Sequence, residues 1–304
     1  MEKQNDVFLT VFTPAYNRAH TLVRTYESLL KQDCKEFIWL VVDDGSNDNT
    51  AELVKQWQKK DNGFEIQYIY KDNGGMHTAH NTAYENIHTE LNVCIDSDDA
   101  FSEGAVSKIK EAWLSVKDKG YAGLIALDAD MNTGEIIGKG FPEGMTETTL
   151  GGYYAAGGAG DKKLIYRTDV MKKYPPYPVF EGEKYVALSY KYLLCDQEYH
   201  LYILNEIICL VDYQADGSSA TMWKQYKNNP NGFAFLRKLD MIYPSSLRKL
   251  MVASVHYVSS SLIAKNKKFI AESPKKGATV AALPFGWLLS KYTIYKANRM
   301  EEKR

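Results

Sequence analysis

The stretch FIWLVVDDGSNDNTAELVKQW, residues 37 to 57, opens as an apolar run, breaks at a knot of acids, Gly and Ser, and resumes with a different period. FIWLVV is aromatic and β-branched and has the length of a strand. From Asp48, a candidate N-cap, the chain reads as a helix that gathers Leu53, Val54 and Trp57 on one face. Strand, polar turn and helix make one β-α unit, and its repetition decides the fold class.

The unit recurs in both directions. VFLTVF (7 to 12), EIQYIY (65 to 70), LNVCI (91 to 95) and YAGLIAL (121 to 127) are further runs of strand length. TLVRTYESLLKQ puts Leu22, Tyr26, Leu29 and Leu30 on one helical stripe, another helical segment spans roughly 78 to 87, and a fourth follows Ser102 and Glu103. This alternation predicts an α/β fold, a mostly parallel sheet with helices on both faces. Ligands of such sheets bind beyond the carboxyl ends of the strands.

Composition fits that class. With 304 residues, 45% hydrophobic and 25% charged, the chain reads as an ordinary globular protein of one large domain, or one domain with an appendage, and disorder is not expected. Cys34, Cys94, Cys195 and Cys209 are widely spaced without a C-x-x-C pair, which predicts neither a zinc site nor a disulfide framework and fits a reducing cytoplasm. The start, MEKQNDVFLTVFTPAYN, has no signal-peptide pattern, so secretion is not expected. The net charge of −1 hides an asymmetry: from Thr221 onward there are 16 Lys and Arg against 4 Asp and Glu, and before it 21 against 34. An acidic body with a basic tail can meet an anionic surface, or the tail can be a solvated helical face.

The polar clusters fall where the strand-end rule puts a ligand. TPAYNR (13 to 18), DDGSNDNT (43 to 50), KDNGGMH (71 to 77) and DSDDAF (96 to 101) follow four successive strands. Each alone reads as a turn, and Asn73-Gly74-Gly75 can simply supply positive φ. Three carboxylates, Asp96, Asp98 and Asp99, crowd behind an apolar run, where they repel one another unless a cation, a donor-rich ligand or water relieves them. LVVDDG also has the look of the acidic start of a response-regulator receiver, but here the strand is the second one and Gly-Ser-Asn follows the acids.

TPAYNR, VVDDGSNDNT, DNGGMHTAHNTA and CIDSDDAF, in this order, resemble the nucleotide-sugar-binding half of family-2 glycosyltransferases of the bacterial polysaccharide-biosynthesis type, over roughly residues 7 to 215. The resemblance implies a GT-A fold, Rossmann-like, and inverting transfer of a hexosyl or N-acetylhexosaminyl group from a nucleoside-diphosphate sugar, a UDP-sugar first among them. It implies a divalent metal, Mn2+ or Mg2+, on Asp98, with Asp96 at the metal or the ribose and Asp99 supporting the loop. It places Asp44 as acceptor of a hydrogen bond from the base, with Pro14, Tyr16 and Arg18 framing base and ribose, and Asn73 and Gly74 in the donor loop. Tyr16 can alternatively be core. Met76 stands where relatives carry Lys or Arg, so the diphosphate contact passes to Lys71, His77 or His80, of which His77 is chosen.

An inverting displacement needs a carboxylate base. FEGEKYVALSYKYLL resembles the family's acidic motif entering a helix, which implies Glu183 as base with Glu181 as the alternative; Lys184 occupies the place of the motif's Asp, and a helix-capping role is the competing reading. LLCDQEYH, with Asp196 and Glu198, reads as a turn before the strand LYILNEIICLV. In the glycine-rich stretch before KKLIY, Asp161 and Lys162 are acceptor-side candidates.

These expectations give a catalytic domain over residues 1 to 220, with a nucleotide-sugar half to about 130 and an acceptor half beyond, and a helical tail over 221 to 304. In the tail, Leu247, Leu250, Met251, Val255, Val258 and Leu262 recur at helical spacing, while ATVAALPFGWLL is 12 residues long and contains Pro284. That is short of the roughly 20 residues of a membrane span. Basic, aromatic and leucine-rich segments suit an interfacial helix, so the expected partners are a nucleotide-sugar donor, a glycan or lipid-linked acceptor and an anionic membrane surface, with no nucleic acid. The expected location is cytoplasmic, peripheral on the inner face of the membrane. A nucleotidyltransferase and a non-catalytic sugar-nucleotide-binding protein remain as alternatives.

Overall fold

The computed structural model describes residues 7 to 212 and 221 to 301. Strands β1 (Leu9–Ala15), β2 (Phe37–Asp43), β3 (Glu65–Tyr70) and β4 (Leu91–Cys94) alternate with helices α1 (Ala19–Leu30), α2 (Thr50–Trp57) and α3 (Met76–Asn86). There follow β5 (Ala100–Phe101), α4 (Ala105–Val116), β6 (Gly123–Asp130), β7 (Glu147–Thr148), α5 (Leu150–Ala155), β8 (Lys162–Arg167), α6 (Thr168–Lys173), α7 (Ser189–Cys195) and β9 (Leu201–Val211). The sheet runs β3-β2-β1-β4-β8-β6-β9-β5, with β7 beside β9. β3, β2, β1 and β4 are parallel, β8 is antiparallel to β4 and β6, and β9 is parallel to β6. The carboxyl ends of β1, β2, β3, β4, β6 and β9 and the amino end of β8 therefore share one edge.

Alternation along β1 shows why both faces carry helices. Leu9 and Val11 join a core with Leu22 and Leu29 of α1, Val54 and Trp57 of α2, and Ile109 and Trp113 of α4. Phe12 points the other way and meets the rings of His80 at 5.0 Å and Tyr84 at 5.7 Å on α3. That is the period-2 consequence of the pleat. Tyr26 stacks on Trp57 at 4.2 Å, which ties α1 to α2 under β2. β1 runs three residues further than VFLTVF and takes Pro14 into the sheet. Its missing N–H is tolerated because the β4 ladder ends at Phe12 and Cys94.

The chain divides into two compact units: residues up to Pro176 with those from Lys191 through β9, and Tyr177 to Tyr190 with the residues from Thr221 on. In the second, α8 (Met222–Asn228), α9 (Pro230–Ile242), α10 (Leu247–Ile263), α11 (Phe269–Glu272), α12 (Lys276–Ala281) and α13 (Leu283–Glu301) enclose Met241, Ala253, Tyr257, Val258, Phe269 and Ala282. The stripe expected on α10 is only partly inward: Leu250, Val255, Val258 and Leu262 reach this core, whereas Leu247 is 76% exposed. No helix among the described residues is long and apolar enough to cross a membrane. All four cysteines are free.

The helical stretch expected from Glu183 onward is a correction. Residues 183 to 187 are irregular and the helix is confined to Ser189–Cys195. Gly182 turns the chain with φ +76°, and the Glu183 carboxylate leaves its own segment to meet the start of α9.

Candidate functional site

The four polar loops lie together on the carboxyl edge. The first two are sewn to each other: Asn17, in the left-handed region at φ 53°, donates its N–H to Ser46 Oγ at 2.9 Å and accepts the Asn47 N–H at 2.8 Å. Asp48 accepts the Ala19 N–H at 3.1 Å and the Thr50 N–H at 3.0 Å, so one carboxylate serves the starts of both α1 and α2. Tyr16 is 44% exposed beside this seam, a surface position and not a core one.

Asp44 is the anchor of the third loop. Its carboxylate accepts Lys71 Nζ at 2.6 Å, the Gly75 N–H at 2.7 Å and the Gly74 N–H at 3.0 Å, while Asn73 Nδ2 donates to its carbonyl at 2.8 Å. Gly45 must be glycine here, because a Cβ at its φ of +83° would come within 2.7 Å of the Asn73 nitrogen. The carboxylate expected to face the base, and the Lys71 cation considered for the diphosphate, are thus engaged with each other and with the loop backbone. Met76 is exposed at the start of α3. His77, one residue in, is 1% exposed, and neither ring nitrogen has a hydrogen-bond partner among the described residues. Burial lowers its pKa to about 4 against the opposing pull of Asp44, so the ring is neutral near pH 7. It can donate or accept one hydrogen bond, but it brings no positive charge. His80 is wholly buried against Phe12, with its pKa lowered to about 3 by burial, which makes it a packing residue.

The acidic loop closes the edge. A turn bonds the Asp99 N–H to the Asp96 carbonyl at 3.0 Å, Thr25 Oγ1 donates to the Asp99 carbonyl at 2.7 Å, and Arg24 Nη1 donates to the Asp98 carbonyl at 3.0 Å. The same Arg24 nitrogen pairs with Asp212 Oδ2 at 2.7 Å, and the Asp212 N–H reaches Asp99 Oδ1 at 3.3 Å. Burial, and then the charges of Asp96 and Asp212, push the Asp98 carboxyl up, against its own N–H and Arg18. That electrostatic link to Arg18 joins the TPAYNR loop to the acids. Asp99 is raised by burial and by Asp96 and Asp98, with Lys163 opposing. Beneath, Lys163 is buried on β8, 4.0 Å from Asp128, and donates to the Cys94 carbonyl at 3.4 Å. Burial pulls its pKa down, but Asp128, Cys209, Asp99 and Asp96 hold it well above the ordinary value.

Among the described residues no group of three or more His, Cys, Asp or Glu is arranged to hold a metal by itself. Asp96 and Asp98 are partly exposed oxygen donors, and burial together with the charge of Asp96 raises the Asp98 carboxyl above its ordinary value. Such a pair fits a hard divalent cation that takes its remaining ligands from water and substrate phosphates.

Most of the other expected residues are engaged in structure. Lys162 is spent on the carbonyls of Ile137 at 3.1 Å and Asp161 at 2.9 Å, and its ammonium sits 5.0 Å from the Tyr153 ring centre; Asp161 itself is exposed. Asp196 caps α5 through the N–H groups of Gly151 at 2.7 Å and Leu150 at 3.2 Å. Glu183 is in the second unit, where its carboxylate accepts the Asn231 N–H at 2.9 Å, Asn231 Nδ2 at 2.7 Å and the Gly232 N–H at 2.8 Å. Glu181 is exposed. Arg24, Asp212, Lys163 and Asp128 were not expected. For Asp212 a signal existed: it follows β9 as the four loops follow their strands.

A family model described as "Glycosyl transferase family 2" matches residues 10–167, more than half of the chain. Glycosyltransferase GlyA of Streptococcus pneumoniae serotype 4 is 28% identical over 137 residues, 45% of this chain and 18% of GlyA. Chondroitin synthase of Pasteurella multocida is 29% identical over 134 residues, 44% of this chain and 14% of that enzyme. The chain thus spans less than a fifth of the length of these curated relatives. Among solved structures, S. aureus TarS 1-349 in complex with UDP-GlcNAc has a TM-score of 0.56 at 15% identity, over 97% of this chain and 92% of that one. The mannosyltransferase PcManGT from Pyrobaculum calidifontis, in complex with GDP-Man and Mn2+, has a TM-score of 0.55 at 15% identity, over 95% and 85%. The fold is that of the GT-A glycosyltransferases.

Proposed function

The chain belongs to glycosyl transferase family 2, and on that premise we propose that it transfers a sugar, with inversion, from a nucleoside-diphosphate sugar to a glycan or lipid-linked acceptor during synthesis of a surface polysaccharide. The observation that carries this reading is the acidic loop after β4, where Asp96 and Asp98 stand partly exposed, held from behind by Arg24 and Thr25, at the edge where the other three loops converge. A UDP-sugar is the proposed donor and a hexosyl or N-acetylhexosaminyl group the proposed cargo, supported by the likeness to a UDP-GlcNAc complex.

Asp98, with Asp96, would hold a Mn2+ or Mg2+ ion, which when bound supplies Lewis-acid stabilisation of the charge that grows on the leaving diphosphate. The likeness to a Mn2+ complex supports that choice. Arg24 fixes the backbone from which Asp98 projects, so the carboxylates are set before substrate arrives. Asp44 serves the nucleotide through the loop it anchors, and His77, a neutral buried ring at the start of α3, offers one hydrogen bond. Of the two glutamates in FEGEK we assign the base to Glu181. A carboxylate that already accepts three N–H groups, as Glu183 does, has little capacity left for a proton. The work would be done at an anionic membrane surface on the cytoplasmic side.

A panel of nucleotide sugars, screened for hydrolysis with and without Mn2+, tests the reading. Metal-dependent turnover of one of them supports it. A nucleotidyltransferase would instead release pyrophosphate from a triphosphate, and a non-catalytic binder would bind the donor without turnover.

A further inference from the structure

Helix α13 is built inside out. Its buried residues are Gly286, Ser290, Thr293 and Ala297, all small, whereas Phe285, Trp287, Leu288, Tyr292 and Tyr295 are exposed. The orientation is locked by packing: a Cβ on Gly286 would come within 2.4 Å of Val258 Cγ1 and 3.0 Å of the Val255 carbonyl, so the backbone of α13 lies directly on α10. Rolling the helix to hide its aromatics would drive larger side chains into a space that admits none.

The outward residues form a pattern. Phe285, Leu288, Tyr292 and Tyr295 follow one another at steps of three or four, which makes one continuous stripe. Phe285 is 62% exposed and Leu288 58%, both too apolar to favour water. Cations flank the stripe: Lys291 lies 5.9 Å from the Trp287 ring centre, Lys296 5.4 Å from Tyr292, and the Arg299 guanidinium 5.8 Å from Tyr295. From Ser273 to Met300 the chain holds Lys275, Lys276, Lys291, Lys296 and Arg299 and no acid, and Glu301 at the helix end is paired with Lys227 at 3.0 Å.

We propose that the outer face of α13, with the lysines at the start of α12, is the surface by which this protein lies on an anionic lipid bilayer, its stripe at the headgroup-acyl boundary and its cations among the lipid phosphates. This deepens the membrane location proposed above by naming the residues that would make it. Charge complementarity selects the occupant. A second copy docked by the same face would set like charges against like. An amphipathic helix that combines aromatic and leucine side chains with Lys and Arg is what the bilayer interface accepts, and anionic lipid adds attraction for each cation.

The test is cosedimentation of the full chain with vesicles of phosphatidylcholine alone or with 30% phosphatidylglycerol, at low and high salt. Far-ultraviolet circular dichroism and UDP binding are measured on every protein. The full chain should sediment only with the anionic vesicles and be released by salt. Phe285→Ser combined with Leu288→Ser, and separately Lys291→Glu combined with Lys296→Glu, should each reduce the bound fraction at least tenfold without loss of helix content or UDP binding. Unchanged sedimentation of both variants, or none by the full chain at low salt, overturns the proposal. So does concentration-dependent dimerisation that these variants abolish, because the stripe would then be an interface between copies. A protein that binds vesicles but turns over no nucleotide sugar keeps this inference and sinks the catalytic one.

Discussion

Replacing Asp44 by Asn separates two roles that the same side chain could play. As anchor, the carboxylate receives Lys71, Gly74 and Gly75 at 2.6 to 3.0 Å, and only 5% of its surface is exposed. The amide of Asn keeps one acceptor oxygen, turns a donor toward at least one of these donors, and leaves Lys71 without its counter-charge. A hydrogen bond to a charged group contributes about 1.5 to 3 kcal/mol, and a partly buried pair broken on one side adds to that. Lys71 can recover some hydration, since 21% of its side chain is exposed. The expected loss is therefore about 2 to 4 kcal/mol, read as a lower urea midpoint, together with weaker binding of UDP, CDP and ADP alike. Urea titration followed by calorimetry with the three nucleotides measures both. If Asp44→Asn leaves the midpoint unchanged but removes a preference for UDP, the carboxylate reads the base directly and the anchoring account is wrong.

Arg24→Met should leave the fold in place but lower metal-dependent donor turnover by roughly tenfold or more, because the Asp98 backbone and Asp212 lose their common clamp; turnover equal to the parent protein's would remove Arg24 from the account. Glu181→Gln should reduce transfer by about 100-fold with donor binding kept, whereas Glu183→Gln should lower thermal stability by about 1 to 3 kcal/mol through the start of α9. The opposite pattern would return the base to Glu183. His77 carries a pH signature: its folded pKa of about 4 lies below the ordinary 6.5, so the unfolded chain takes up a proton that the native one refuses. Stability should be flat in this respect above pH 6.5 and fall by about 3 kcal/mol toward pH 4, and His77→Gln should flatten that part of an unfolding-midpoint series. An identical acid slope in the variant would contradict the buried neutral ring.

The β-α alternation was legible because each early strand is a continuous apolar run closed by turn residues, and β2 and β3 follow the runs 37 to 42 and 65 to 70 within a residue. β5 and β7, two residues each, carry no period and exist only because β9 is there to pair with them. The convergence of the four loops followed from the parallel sheet. Partners far along the chain did not: Asp212 meets Asp99 across 113 residues, and no local pattern announces which acid returns to a loop. Glu183 shows the same limit. A carboxylate ahead of an apolar segment reads as the start of that helix, yet the N–H groups that capture it belong to α9. Lys163 stands second in the strand KKLIYR, where a lysine at a strand start reads as solvated, yet it is buried and held charged by Asp128 and the acidic loop.

The acids after β4 are proposed to hold a metal-bound nucleotide sugar. Metal-dependent turnover of the best nucleotide sugar by the parent protein and by Asp98→Asn, at saturating Mn2+ and with folding checked by circular dichroism, tests it most directly. Turnover by the parent protein should need the metal, and it should be lost in a variant that remains folded. Turnover by Asp98→Asn at the parent rate would contradict the proposal.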